Sequence, residues 1–537
     1  MLLSRALNRG FAMPPQEWPI DFGFLNVDAL WVMDEVQLMG PGRTTSVQLQ
    51  AFWDAAPPSH GLRQTLWMSA TLGSQAGSLQ LPNWMQTPEK SQSLACQHTL
   101  ACQHTNADLQ NPAFALRWNA PKRLELHLDS AEPGKRGWTV ESPGLLKAIC
   151  NEANKNKAKE RRLVLVFVNQ VKRARELHAR LQKAAAGLEV LLVHGRMRPC
   201  DRHAVVSKLG TATPASGRIV VTTQVLEAGV DLDADALFTE LCPWPSLVQR
   251  LGRLNRSGTR PTAQEVASGT REPAKAVVFE PPCPPQKDGE SASDYESRRA
   301  REQSLPYEPN ALQETRKLLD SVKDSHDGSL SPETLSTLSI SLPLEGPVLR
   351  RFDLDDLFDT DPDLSGGYTD VTPYLRAADR DVDAYLLWRR IGRRIEGGLD
   401  ADEQVPIHHD ELCPVPFYEA QEAFAEREVW ILTLATGRKR RAAWRKATGR
   451  EIRAGDTVMV DREAGCYRKD VGWTARDADK PNVIIDRREK DDGKRVRAWV
   501  RLDGGTAPLV CEIDEHIVGP RARLEDRRCF TKDWMEL

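Results

Sequence analysis

Between Lys122 and Glu280 the chain changes hydrophobic period repeatedly, and this alternation limits its fold more than any other feature. "RLELHLD" (123–129) precedes a helical pattern over 143–154, and "RRLVLVFVN" (161–169) precedes the one-sided stripe of "QVKRARELHARLQKA" (170–184). "LEVLLVHG" (188–195), "GRIVVTT" (217–223) and "AKAVVFE" (274–280) are further short apolar runs. Runs apolar on both faces need cover on both faces, and interleaved amphipathic helices provide it. The pattern predicts an α/β fold with a parallel, doubly wound sheet.

Upstream, residues 1–75 hold two more short apolar runs, "DALWVMDE" (28–35) and "QTLWMSAT" (64–71), while 76–118 are polar and irregular. Pro281 to about Ser304, rich in Pro, Ser, Glu and Lys, reads as a linker. A helical stretch follows, with Ser331-Pro332 as a cap and first turn. From about 405 short strands and turns take over ("REVWILTLATG", "GDTVMVD", "PNVIID", "VRAWVRLDGG"). The expected division is therefore 1–118, 119–282, a linker at 283–305, a helical accessory segment at 306–400 and a small β-rich C-terminal domain at 401–537.

Composition excludes little else. No run of about 18 apolar residues exists to span a membrane. The opening "MLLSRALNRGFAM" does not read as a signal peptide, and ten cysteines without a C-x-x-C pair suggest a reduced, cytoplasmic setting. A net charge of −3 does not by itself demand nucleic acid. The Lys/Arg-rich stretches 155–202 and 438–453, and the aspartates of 353–383, read as solvated surface. "LACQHT" at 94–99 recurs at 100–105, bringing Cys96, His98, Cys102 and His104 together; tandem duplication explains them without a metal.

Four segments carry chemistry. Asp34-Glu35-Val36-Gln37 ends an apolar strand in acids, where nucleotide hydrolases hold magnesium and a base. Ser69-Ala70-Thr71 ends the next run. In "VVTTQVLEAGVDLDAD" (220–235) a strand enters a turn containing Glu227, Gly229 and Asp231. In "PWPSLVQRLGRLNRSG" (243–258), Gln249, Arg250, Arg253 and Arg256 recur at spacings of 1, 3 and 3. On a helix Gln249, Arg253 and Arg256 share one face, and paired guanidinium forks suit phosphate. An arginine delivered to a γ-phosphate can be worth roughly a thousandfold in rate.

In this order the segments resemble the Walker B, S-A-T, pre-terminal-strand and arginine-finger motifs of superfamily-2 helicases. "DALWVMDEVQLMG", "TTQVLEAGVDLDAD", "LCPWPSLVQRLGRLNR", "DLDDLFDTDPDLSGGYTDVTPYLR" (353–376) and "AGDTVMVDREAGCYRKDVGW" (454–473) resemble the CRISPR-associated helicase–nuclease of type I systems, particularly its I-G (I-U) branch. The resemblance implies tandem RecA-like helicase domains, the first incomplete, acting on ATP and Mg²⁺. Asp34 would hold the metal and Glu35 would activate water. Gln37 and Ser69, Ala70 and Thr71 would couple nucleotide state to domain closure. Gly229, Asp231, Gln249 and Arg250 would line the nucleotide, with Arg253 and Arg256 reaching its phosphates. Asn169, Thr222 and Thr223 would meet single-stranded, unwound DNA, and His194-Gly195-Arg196 matches a short motif of the second motor domain. The implied partners are DNA and the CRISPR surveillance complex; no membrane is implied.

Two family parts have no match. No G-x-x-x-x-G-K-[ST] loop occurs; "GPGRTTS" (40–46) lacks the lysine and follows the acids. The HD nuclease has no counterpart beyond His408-His409-Asp410, set between Pro406 and Pro414. The resulting expectation is a chain truncated at both ends and inactive alone, its N-terminal motor half and HD nuclease supplied by neighbouring chains. A different superfamily-2 motor of repair or RNA metabolism, and a non-catalytic DNA- or complex-binding remnant, stand as alternatives.

Overall fold

The computed structural model describes residues 2–9, 17–55, 61–68, 106–128, 137–155, 162–338, 347–358, 370–375, 383–389, 407–434, 442–475, 485–491, 495–501 and 508–513. Ser69-Ala70-Thr71 and the duplicated "LACQHT" lie outside them.

The first region contains α1 (Leu2–Ala6), α2 (Trp18–Asn26), β1 (Ala29–Met33), α3 (Pro41–Ala55), β2 (Arg63–Trp67) and α4 (Pro112–Trp118). β1 and β2 pair in parallel, Ala29 opposite Arg63 through Met33 opposite Trp67. One face of the pair is covered: Trp31 packs with Ala6, Leu7 and Leu49, and Arg63 lies over its ring at 4.2 Å. On the other face Leu30, Val32 and Leu66 are 65%, 54% and 42% exposed.

The second region is a six-stranded sheet, every pairing in it parallel. Its strands are β3 (Lys122–His127), β4 (Leu163–Phe167), β5 (Glu189–Val193), β6 (Arg218–Thr222), β7 (Ala236–Glu240) and β8 (Ala274–Phe279), in the order β3-β8-β7-β4-β6-β5. Every residue of β4, β6 and β7 is buried, as strands covered on both faces require. The covering helices are α5 (Pro143–Asn154), α6 (Val171–Ala184), α7 (Pro199–Leu209) and α8 (Trp244–Leu251). α6 turns Ala174, Leu177 and Leu181 inward at helical spacing. The edge strand β3 is closed by backbone bonds between Leu124 and Gly328 (2.8 Å) and between Leu330 and Lys122 (3.0 Å). The α/β class and the parallel sheet expected from the alternation are therefore present.

The segments beyond 282 distribute differently from the expected division. Residues 292–304, within the expected linker, form helix α9 (Ala292–Ser304), followed by α10 (Pro309–Ser325). Leu312, Leu319 and Val322 of α10 join the core of the second sheet. The aspartate-rich α11 (Arg351–Phe358) instead packs on the first region, adding Leu357 beside Leu349 and Trp31. Asn8 Nδ2 donates to Leu357 O at 2.9 Å, and Leu349 N to Gln48 Oε1 at 3.0 Å. The sequence pattern showed these helices but not which core each would complete.

The β-rich region is a five-stranded sheet that includes β9 (Asp383–Arg389), so it begins before residue 401. Trp388, Phe424, Tyr467 and Trp473 fill its core. It docks on the second region along residues 194–201. His194 Nε2 bonds Val471 O at 2.8 Å, and Trp473 N donates to Arg196 O at 3.1 Å. The Tyr467 hydroxyl accepts from Arg198 N (2.9 Å) and donates to Asp201 Oδ2 (2.8 Å). A Cβ on Gly472 would stand 2.4 Å from Arg196 O, so only glycine allows this approach.

Candidate nucleotide site between the two sheets

β1 runs straight into Asp34 and Glu35. Glu35 adopts a left-handed conformation (φ 52°, ψ 47°), uncommon for a residue with a Cβ and costing about 1–3 kcal/mol. Its neighbours hold it there: Glu35 N donates to Asp34 Oδ1 (2.9 Å), Val36 N to Met68 O (3.2 Å) and Leu38 N to Glu35 O (2.8 Å). Gln37 sits in the 3-10 turn Val36–Leu38 that this bend starts. The bend sends the Glu35 carboxylate to the second region, where Gln249 Nε2 on α8 donates to its Oε2 at 2.5 Å. Residues 214 positions apart thus meet from opposite sides of one cleft.

Arg253 lies just beyond α8. Its Nη2 donates to Glu227 O at 2.7 Å, while its buried Nε has no hydrogen-bond partner. Burial lowers the Arg253 pKa and nearby Arg256 lowers it further; Asp231 and Glu35 oppose this. Arg256 pairs with Asp231 (2.7 Å), and both side chains reach solvent. Gly229, at φ 78°, makes the turn before Asp231 in a conformation that favours glycine.

The acidic turn and the arginine segment are stitched together by backbone. Ala234 N donates to Arg253 O (2.8 Å) and Asn255 N to Ala234 O (2.9 Å). Asp233 accepts from Arg256 N (2.7 Å) and Ser257 Oγ (2.6 Å), and pairs with Arg260 (3.2 Å). Asp235 takes up Leu163 N (2.7 Å) and Arg260 (3.3 Å). Acids at 231, 233 and 235 alternate along an extended segment, a pattern legible in "DLDAD" once its partner segment is known. Lys122 Nζ donates to Leu251 O at 2.9 Å, capping the end of α8, and burial pushes its pKa down to about 8.

Arg250 is placed otherwise than the sequence suggested. It is fully buried, its nitrogens donating to Glu227 Oε1 (2.8 Å), Thr239 Oγ1 (2.7 Å) and Asn169 Oδ1 (3.0 Å), with Tyr307 Oη at 3.2 Å. Asn169, Thr222 and Thr223 are buried as well; Asn169 Nδ2 donates to Leu241 O (2.8 Å) and Thr222 Oγ1 to Thr223 O (3.1 Å). Glu240, which accepts from Asn169 N (2.7 Å) and Arg173 (3.0 Å), and Tyr307 join this network with no motif to mark them. Spacing carries no signal for either, because each meets its partners only through the fold. His408 accepts from Asp410 N (3.3 Å) at the start of a 3-10 turn, and no cluster of three or more metal-ligating side chains occurs among the described residues. No described helix is long and apolar enough to cross a membrane.

Whether Mg²⁺ and a nucleoside triphosphate suit these residues can be tested on the structure. Asp34 offers an exposed hard carboxylate, and magnesium binds through one or two carboxylates with waters and phosphate oxygens completing its shell. Arg253, buried with its Nε lacking a hydrogen-bond partner, and the solvent-reaching Arg256 carry guanidinium groups of the charge and shape phosphate needs. The residues fit.

Fold and site together define a two-sheet α/β protein whose acid-bearing strand end meets Gln249 on α8, with Arg253 and Arg256 following that helix. Residues 160–259, the heart of the second region, match the family described as CRISPR-associated nuclease/helicase Cas3, C-terminal. The CRISPR-associated endonuclease/helicase Cas3 of Escherichia coli K12 is 36% identical over 115 residues, covering 20% of this chain and 13% of that protein. The CRISPR-associated helicase Cas3 of Thermoproteus tenax is 34% identical over 101 residues, covering 18% and 17%. The chain thus aligns with less than a fifth of these relatives' length. The crystal structure of T. fusca Cas3 with AMPPNP superposes with a TM-score of 0.42 at 15% identity, over 86% of this chain and 53% of that one.

Proposed function

We propose that this chain is the motor portion of an ATP-dependent DNA helicase of type I CRISPR interference, built on tandem RecA-like domains and working on target DNA opened by a surveillance complex. The observation that carries this reading is the meeting of Glu35 and Gln249 across the cleft, with Arg253 near enough for the Glu35 charge to act on it. Asp34 would hold Mg²⁺, which when bound offsets phosphate charge. Glu35 would take the proton of the attacking water, Gln249 would orient it, and Arg253 and Arg256 would stabilise the transferring phosphoryl group. Asn169, Thr222 and Thr223 act from inside, shaping the loops that meet a DNA backbone, and Arg250 holds those loops to α8. Such a motor grips phosphates without reading bases. Within the family, segment 353–376 supports the I-G branch. No phosphate-wrapping glycine loop occurs in the 537 residues, so turnover by them alone is expected to be negligible.

Photolabelling with 8-azido-ATP and Mg²⁺ tests the site. Label on peptides containing Asp34 or Arg253, competed by ATP and weakened severalfold but still measurable in Arg253→Ala, supports it. Absence of any ATP-competed label there sinks it. Brisk DNA-stimulated hydrolysis by the same protein would show that another loop wraps the phosphates.

A further inference from the structure

The hinge between α9 and α10, residues 305–308, does more than reverse the chain. Tyr307 projects from it into the carboxyl end of the second sheet, where its hydroxyl oxygen accepts from Gln224 Nε2 at 3.0 Å and from Arg250 Nη2 at 3.2 Å. Gln224 opens the turn after β6 that leads to Glu227 and Asp231, and Arg250 stands in the last turn of α8. The one phenol oxygen therefore bonds to both segments that build the second side of the cleft. Two residues earlier, Leu305 O accepts from Gln170 Nε2 and Arg173 Nη2, both at 3.3 Å, at the entrance to α6. Burial pushes the Tyr307 pKa up to about 12, which keeps the hydroxyl neutral.

We infer that Tyr307 is a positioning residue that ties the docked α9–α10 hairpin to the pose of Arg253. The path is short. Arg250, held by Tyr307, donates to Glu227 Oε1 at 2.8 Å, and Glu227 O receives Arg253 Nη2 at 2.7 Å. The hairpin cannot shift as a body without moving the hydroxyl, since Leu312 and Leu319 are buried in the sheet core and Arg316 pairs with Glu280 at 2.6 Å. Loss of the oxygen leaves half-buried Gln224 Nε2 and buried Arg250 Nη2 each with Asn169 alone as hydrogen-bond acceptor while removing almost no volume, so the effect falls on position rather than packing. The consequence for a ligand, an anionic phosphate group reached by Arg253, rests on the nucleotide reading above.

Tyr307→Phe in the whole chain is the test, with Gln224→Ala cutting the same link from its other end should the first variant fold poorly. By amide exchange, segments 225–230 and 247–254 should exchange about tenfold faster, the equivalent of one lost hydrogen bond, with β4 and β7 unchanged. ATP-competed labelling should weaken about three- to tenfold, and in an Arg253→Ala background the same substitution should weaken it no further, because both act on one group. Unchanged exchange in both variants overturns the inference. So does faster exchange with effects that add fully to those of Arg253→Ala, since Tyr307 would then not act through that arginine. Faster exchange at those segments in a protein that takes no label at all upholds the clamp and overturns the nucleotide reading instead.

Discussion

The two parallel sheets carry the same kind of strand and are covered differently. β4 of the second sheet reads Leu-Val-Leu-Val-Phe and buries all five residues; β1 of the first reads Ala-Leu-Trp-Val-Met and buries one. Neighbours make the difference. β4 lies between β6 and β7 with helices above and below, whereas the described pair β1–β2 has cover on one face, part of it lent by α11 from more than 300 residues away. An apolar strand is a demand for burial, and only assembly meets it. The first sheet nonetheless contributes Glu35 to the cleft, because a single left-handed residue suffices to aim it.

Several measurements would break or sharpen this comparison. The largest effect should come from the buried centre of the second sheet. Arg250→Met leaves the Glu227 carboxylate without its guanidinium and should cost about 3–5 kcal/mol in urea unfolding, and Phe238→Ala should cost a similar amount by cavity formation. A loss below about 1 kcal/mol for either would mean that this core is not what stabilises the region.

The next effect concerns the seam between the second sheet and the β-rich region. Burial drives the His194 pKa down to about 3, aided by Arg175, Arg196 and His178, while its bond to Val471 opposes the shift. The folded value lies below the ordinary 6.5 or so, so the unfolded chain binds the proton more readily. Stability should therefore be level above about pH 6.5 and decline by up to about 1.4 kcal/mol per pH unit as the pH falls toward 3. His194→Gln should flatten that slope; an unaltered slope would place the proton elsewhere.

Amide exchange should separate the sheets directly. Amides of β4 and β6 should exchange only through global unfolding, those of β1 and β2 through smaller openings, and equal protection would erase the contrast. The smallest effect belongs to the uncovered face. Leu30→Ala, at a side chain 65% exposed, should change stability by no more than about 0.5 kcal/mol. A loss of several kcal/mol would show that Leu30 is covered in solution.

The sequence by itself determined the α/β class, five of the six strands of the second sheet (all but β7), the acids at the end of β1 and the arginines that follow α8. These are legible because hydrophobic period and local spacing are properties of neighbouring residues. "DLDAD" also held a readable signal, since alternate residues of an extended segment share a side and here meet Arg256 and Arg260. Tertiary structure alone decided which core each later helix would join, and that α11 would leave the β-rich half to cover Trp31. It also decided that Arg250 and Asn169 face inward and that Tyr307 reaches the same network. The helix ends at Leu251, so Arg250 stays on it while Arg253 follows Gly252 off its end, and two arginines that look alike in a motif part company in the fold. Arg250 enters the core and pairs with the Glu227 carboxylate; Arg253 bonds the Glu227 carbonyl and keeps its Nε without a hydrogen-bond partner. Such outcomes depend on contacts between residues tens to hundreds of positions apart, and no local pattern records them.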